Sequence, residues 1–454
     1  MISALGLLAS LALLITLALR GVNIILASLL CSLIVIVTSA LPLGETLDQS
    51  YLFGKLGAFT FAGRFFLLFV AGAMFGRVMG DSGAAASIAL ALVRKLGAER
   101  ALWITVLACA MLTYGGVVVF VVIFAMYPLG LRLLREADIP KRLFCAALAL
   151  GGGTFTLTAL PGTPSIQNII PTLSLGTDLY AAPLLGFVGG AIMFGLGMTY
   201  LEWQRRKAKV AGEGFDPAPG DPIGALVDAD GKPLKEVLPA LIPSILPLVV
   251  VIAIIVSPSV LGDAMPATLA TFAKAQPVLW PSLALFIGSL LGLVLFHAVR
   301  TRPLAVAGEG MQDAVVPLFA TSVVIGFGGV VVQTAGFGSF ASALMSFDSY
   351  PLLSMFGAVS TVSGITGSAS GGLQIFMETL APSYLAMGIA PEELHRLAVM
   401  ASGGFDSLPH CGAIIAMLAI TRLTHQNAYR DVAVVTVVIP VIATLCCIAI
   451  ASLT

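Results

Sequence analysis

Charge is what this sequence has least of. Only 10% of its 454 residues are Asp, Glu, Lys or Arg, against about 25% in soluble domains, and 58% are hydrophobic, which excludes an ordinary soluble fold. Neither sign is in excess, since 23 basic and 23 acidic residues leave a formal net charge of zero. No long-range field is therefore available to recruit nucleic acid. Cysteine is scarce as well. Cys31, Cys109, Cys145, Cys411, Cys446 and Cys447 all fall in apolar stretches without the spacing of a metal site, so neither a disulfide framework nor a zinc centre is expected and the six read as packing residues. The short alternating segments of a β-barrel are missing, as are HExxH and any cofactor fingerprint. An enzyme is not expected, nor any metal or cofactor beyond a coupling ion. The three tryptophans, Trp103, Trp203 and Trp280, sit near span ends, where the membrane interface explains them.

Apolar runs near 20 residues recur along the whole chain, each long enough to cross a hydrocarbon core of about 30 Å. An all-α polytopic membrane protein is expected, with the lipid bilayer as its first partner. Ten spans are placed at 2–19, 22–43, 57–79, 142–175, 180–203, 236–257, 277–297, 307–332, 396–420 and 431–453. The first lacks a basic start and Arg20 follows its apolar run, so it reads as a retained span and not a cleaved signal peptide. Segments 98–134 and 351–388 are too short for two crossings and read as re-entrant hairpins. Their middles are small and hydroxyl-rich, with Thr113, Tyr114, Gly115 and Gly116 in the first and GITGSASGG (Gly364 to Gly372) in the second. Such irregular backbone is tolerated at membrane depth only inside protein or beside a water-filled cavity.

Nineteen of the 23 basic residues fall on the side of the 204–235 linker, leaving Lys55, Arg64, Lys274 and Arg396. The positive-inside rule then makes the linker cytoplasmic and puts both termini outside. Residues 1–203 and 236–454 repeat the same order of spans, hairpin and interrupted span, and PKRLFCAALALGGG (Pro140 to Gly153) aligns with PEELHRLAVMASGG (Pro391 to Gly404). Each half has an odd number of crossings, so the second copy is inverted. Inverted repeats with interrupted spans mark secondary transporters with a midplane site. The Pro-rich, acidic linker reads as a flexible cytoplasmic connection, and the Ala-rich stretch 84–96 as an interfacial helix able to link moving parts.

The two interruptions are TALPGTPSIQN (Thr158 to Asn168) and SGGFDSLPHCG (Ser402 to Gly412). Proline and glycine unwind a helix there and free backbone groups. Half-helix N-termini then suit an anion and freed carbonyls a cation, while a kink needed only for packing is the plain alternative. Asp406 and His410 lie in the second interruption, and ionisable groups at membrane depth are costly unless they work. Either is a candidate proton carrier, against a hydrogen-bonded pair that merely pins the loop. Glu378, just past the second hairpin tip, is the other candidate, against an ion pair with Arg64. His297, His395 and His425 sit in or near loops and need no special role.

The runs GGGTFTLTALPGTPSIQNIIPT (Gly151 to Thr172), GITGSASGG and GGFDSLPH (Gly403 to His410) together resemble the gluconate permease, or GntP-type, family of the ion-transporter superfamily, and the likeness spans the chain. The resemblance implies proton-coupled uptake of a small hydroxycarboxylate by an elevator-like motion in a homodimer of a bacterial-type inner membrane. The second interruption departs from that of the sugar-acid carriers, which leaves 3-hydroxybutyrate as open as a gluconate-like sugar acid. For a carboxylate ligand the expected donors are Thr113, Gly115 and Gly116, then Thr163, Ser165 and Asn168, then Thr366, Ser368, Ser370 and Gly371, although small and hydroxyl residues also pack membrane helices. A sodium-coupled di- or tricarboxylate carrier is the alternative, and a channel is more distant.

Overall fold

The computed structural model describes residues 2–20, 22–97, 100–117, 119–218, 221, 238–346 and 349–453. Among them every regular element is a helix. Five helices are long and apolar enough to cross a membrane: Ala58–Asp81, Pro183–Val210, Leu241–Pro258, Pro303–Val331 and His425–Ala451. The helix Leu279–Leu295 joins them if counted with Ala267–Ala275, from which it is bent by 110°. Ile2–Leu19 and Ile24–Thr38 are apolar throughout, and the remaining expected spans are the two interrupted ones, whose pieces are each too short to cross alone.

The interruptions form where the sequence places its helix breakers. Helix Lys141–Gly153 stops at Thr154 (φ −117°, ψ −102°), one turn follows at Phe155–Thr158, and Ser165 caps a new helix, Ile166–Leu175, by accepting from Asn168 N–H. In the second half, Pro391–Phe405 is kinked at Gly403, and Gly412–Ile420 restarts after a stretch of turns. The two interrupted spans cross here. A Cβ on Gly403 would stand 2.6 Å from Thr158 Cγ2, so only glycine allows the approach.

Both hairpins are present. Ala101–Tyr114 turns at Gly115 and Gly116 into Val119–Ala137, and Pro351–Thr366 turns at Gly367, in the left-handed region (φ +60°), into Ala369–Thr379. Gly116 also has φ +94°, and a Cβ there would meet Leu285 at 2.6 Å.

Two bodies result. In one, Ile2–Leu19 packs on Ile24–Thr38, which packs on the Pro303–Val331 helix, and that helix with Leu279–Leu295 lies against Ala58–Asp81. Ser28 Oγ, donating to Val323 O at 2.6 Å, ties this body together. In the other, the hairpins wrap the interrupted spans: Ala101–Tyr114 lies on Lys141–Gly153, Pro351–Thr366 on Pro391–Phe405, and Pro183–Val210 on the last helix. Helix Ala84–Leu96 packs on both Leu241–Leu261 and the first hairpin, so it bridges the bodies, with Ser87 donating to Pro239 O.

The described part of the linker, 204–218 and 221, is held to the rest of the protein. Helix Pro183–Val210 carries its first residues, and Asp221 is buried in an ion pair with Lys141 (2.6 Å) while accepting from Tyr127. Glu213 pairs with Arg142, which also binds Asp431. The expected remainder of the linker, 222–235, lies outside the described residues. Five of the six cysteines are buried and all six are free.

Candidate functional site

Between the two bodies lies a cavity of about 1360 Å³. One wall is formed by Leu68 to Asp81 of the Ala58–Asp81 helix and by Asp313 to Val324, and the other by both hairpin tips and both interruptions. Thr113, Gly116, Ser165, Thr366, Ser368, Ser370, Asp406 and His410, all chosen from sequence, line it.

Three helix N-termini converge on it. Ile166–Leu175 begins at Ser165, Ala369–Thr379 at Ser368, and Gly412–Ile420 at Cys411, each of these starts being in the cavity wall. Ser165 and Ser368 cap the N–H groups of Asn168 and Gly371 at 3.2 Å, and the other first-turn amides of a helix have no acceptor within it. An N-terminus carries about half a positive charge, so three around one cavity make a receptor for an anion without any fixed cation. Arg77 and His410 are the basic residues in the wall, and Arg77 at the mouth is already engaged with Asp81, Glu309 and Asp313.

Asp406 is partly exposed to the cavity, and Ser407 Oγ donates to its Oδ1 at 3.0 Å. His410 Nε2 binds Gly364 O at 2.9 Å, which ties the second interruption to the second hairpin. The two therefore share the cavity with different partners. Glu378 stands outside the cavity lining, 3.8 Å from Arg64 and accepting from Gln374 Nε2. That ion pair joins the Ala58–Asp81 helix to the second hairpin on the side of the cavity away from Arg77.

Other chosen residues face elsewhere. Gly115 packs against Leu248. Thr163 is fully buried, with an Oγ1 that meets no partner among the described residues. The Gly371 amide is used by Ser368. Asn168 donates to Thr163 O and Leu179 O and accepts from Arg396, so it holds the fold of the interruption and its neighbour Gln167 faces the cavity instead. Adjacent helical residues point about 100° apart, and sequence alone did not choose between them.

His395, which the sequence placed in or near a loop, and Arg396, at the start of the expected 396–420 span, are both fully buried. His395 binds Thr177 through Nδ1 and Asn168 through Nε2. Arg396 donates to Ala181 O, Ala159 O, Asn168 Oδ1 and Leu179 O, all within 3.2 Å. The signal for them was present, since two ionisable residues sit inside the repeated block that aligns with the first interrupted span.

A family model described as GntP family permease matches residues 2–453. The chain is 38% identical over 448 residues to an uncharacterized transporter, YxjC, of Bacillus subtilis (strain 168), covering 93% of each chain. It is also 33% identical over 136 residues to an uncharacterized transporter of Haemophilus influenzae, covering 29% of this chain and 30% of that one.

Proposed function

Because the chain belongs to the GntP permease family and is a transporter, not an enzyme, we propose that it carries a small hydroxycarboxylate together with a proton. The observation that supports this most is the convergence of three helix N-termini and the hydroxyls of Thr113, Ser165, Thr366, Ser368 and Ser370 on one cavity. A carboxylate meets amide and hydroxyl donors there, and a ligand hydroxyl finds acceptors among the same groups. Gluconate-like sugar acids and 3-hydroxybutyrate both fit that chemistry.

Proton coupling is favoured over sodium by where the freed carbonyls go. A sodium site needs several oxygen ligands. At the first interruption Leu157 O accepts from Ser165, Pro161 O from Tyr114, and Ala159 O from Arg396. At the second, Ser407 O accepts from Tyr429 and Pro409 O binds His425. These five carbonyls are engaged by protein groups, while Asp406 keeps a carboxylate in the cavity wall.

The cavity lies between two helical bodies and reaches Val22, Ile24, Arg77 and Asp313, on the face the positive-inside rule makes cytoplasmic. We read it as an inward-open state, in which the body holding hairpins and interruptions moves past the other as an elevator. Two inverted repeats, a homodimer, an inner-membrane location and both termini outside belong to the same reading. Uptake of labelled gluconate and 3-hydroxybutyrate into sodium-free proteoliposomes under an inward proton gradient tests it. Accumulation is expected, and an absolute sodium requirement would overturn the coupling.

A further inference from the structure

Arg396 carries a buried positive charge whose hydrogen bonds, among the described residues, all run to neutral oxygens. Its guanidinium meets four: the carbonyls of Ala159, Leu179 and Ala181 and the side chain of Asn168. Burying a cation this way is expensive unless every donor is used. All four acceptors belong to the first repeat, Ala159 before the Ile166–Leu175 helix, Asn168 within it, and Leu179 and Ala181 after it, whereas Arg396 itself belongs to the helix that leads into the second interruption. Asn168, on the first turn of Ile166–Leu175, links the guanidinium to Thr163 O and to His395. With Asn168 fixed on that side, Gln167 and Ser165 are left at the cavity.

We propose that Arg396 is a positioning residue for the carrier: through Asn168 it sets the rotation of the Ile166–Leu175 helix and so keeps Ser165, Gln167 and that helix's N-terminus presented to the transported anion. A planar fork with five donors serves several oxygens lying around one plane, and an ammonium does not. Lysine therefore does not replace it. The inference deepens the reading of the cavity as the transport site and rests on that reading only for its effect on affinity.

The test needs no transport. In the purified full-length protein, cysteines are introduced singly at Gln167 and at Thr172, which lies one turn on from Asn168 on the same buried face, and at Ser368 on the second hairpin tip. Alkylation by N-ethylmaleimide is followed site by site through peptide mass. With Arg396 present, the cysteine at 167 should react at least about tenfold faster than that at 172, as an exposed site does relative to one needing local opening. In R396K and R396M that ratio should collapse toward one while the rate at 368 stays unchanged. If both variants fail to give monodisperse protein, N168A keeps Arg396, removes the link and should collapse the same ratio. A preserved ratio in these variants, or an equal change at 368, would overturn the proposal. An inactive carrier with the expected labelling pattern would count against the transport reading alone.

Discussion

In the proposed reading, Asp406 is the residue on which coupling turns. It faces the cavity with Ser407 as its hydrogen-bond donor, and among the described residues no basic side chain forms an ion pair with it. A bound anion would disfavour its ionised form, so proton and anion binding are reciprocally linked. D406N should abolish accumulation driven by a pH gradient while leaving counterflow exchange, which initial-rate measurements in both modes would separate. Accumulation by D406N would transfer the role to another group, with Glu378 first in line. Ser368 does two things, capping Gly371 N–H and lining the cavity. S368A should weaken substrate binding and cost about 1 kcal/mol in stability from the lost cap, visible as a lower melting temperature. T163A, by contrast, removes a buried hydroxyl that meets no partner among the described residues and should leave affinity near that of the parent. The chemistry-bearing residue types were legible because buried charge, proline and glycine are rare enough in an apolar chain to stand out. Their facing was not. Asn168 and Gln167 differ by one helical step, and which of them meets the ligand is fixed by Arg396, a contact from 228 residues away.

At the scale of elements, the hairpins and interruptions could be read because their breakers are local: Gly115–Gly116, Gly367 and Gly403 each end or bend a helix where they stand, and Pro161–Gly162 lie in the turn between Phe155–Thr158 and Ile166–Leu175. The anchored start of the linker could not, since Asp221 finds Lys141 and Tyr127 only once helices distant in sequence have met. Burial alone would raise the Asp221 carboxyl, but hydrogen bonds from Lys141, Tyr127 and Ala218 N–H, with the charge of Lys141, outweigh it and hold the group below its ordinary value. Glu213 is likewise lowered, chiefly by its hydrogen bond from Arg142. For depressed carboxyls the stabilisation is present above the unfolded pKa and is lost as pH falls through the folded one. Anchoring of residues 211–221 should therefore persist at neutral pH and fail below about pH 4, the ordinary carboxylate range. Protease cleavage of the linker across that range checks this, and unchanged cleavage would contradict it. D221A strands Lys141 as a buried charge and should cost about 3–5 kcal/mol, read as a fall in melting temperature.

For the molecule as a whole, orientation and alternating access are the claims to test. A cysteine at the exposed Asp216 should resist impermeant thiol reagents in intact cells, while one at the exposed Gln49 should react; the reverse pattern would overturn the topology and the inverted repeat with it. Arg64 and Glu378 pair through long side chains across the two bodies, so a reducible bifunctional thiol cross-linker spanning R64C and E378C should hold the proposed inward-open state and stop exchange until it is cleaved. Coupling itself is tested most directly by watching the proton. In sodium-free proteoliposomes with a pH dye sealed inside, adding gluconate or 3-hydroxybutyrate should acidify the lumen of vesicles carrying the parent protein and leave those carrying D406N unchanged. Substrate entry with no acidification, or only when sodium is supplied, would contradict the account.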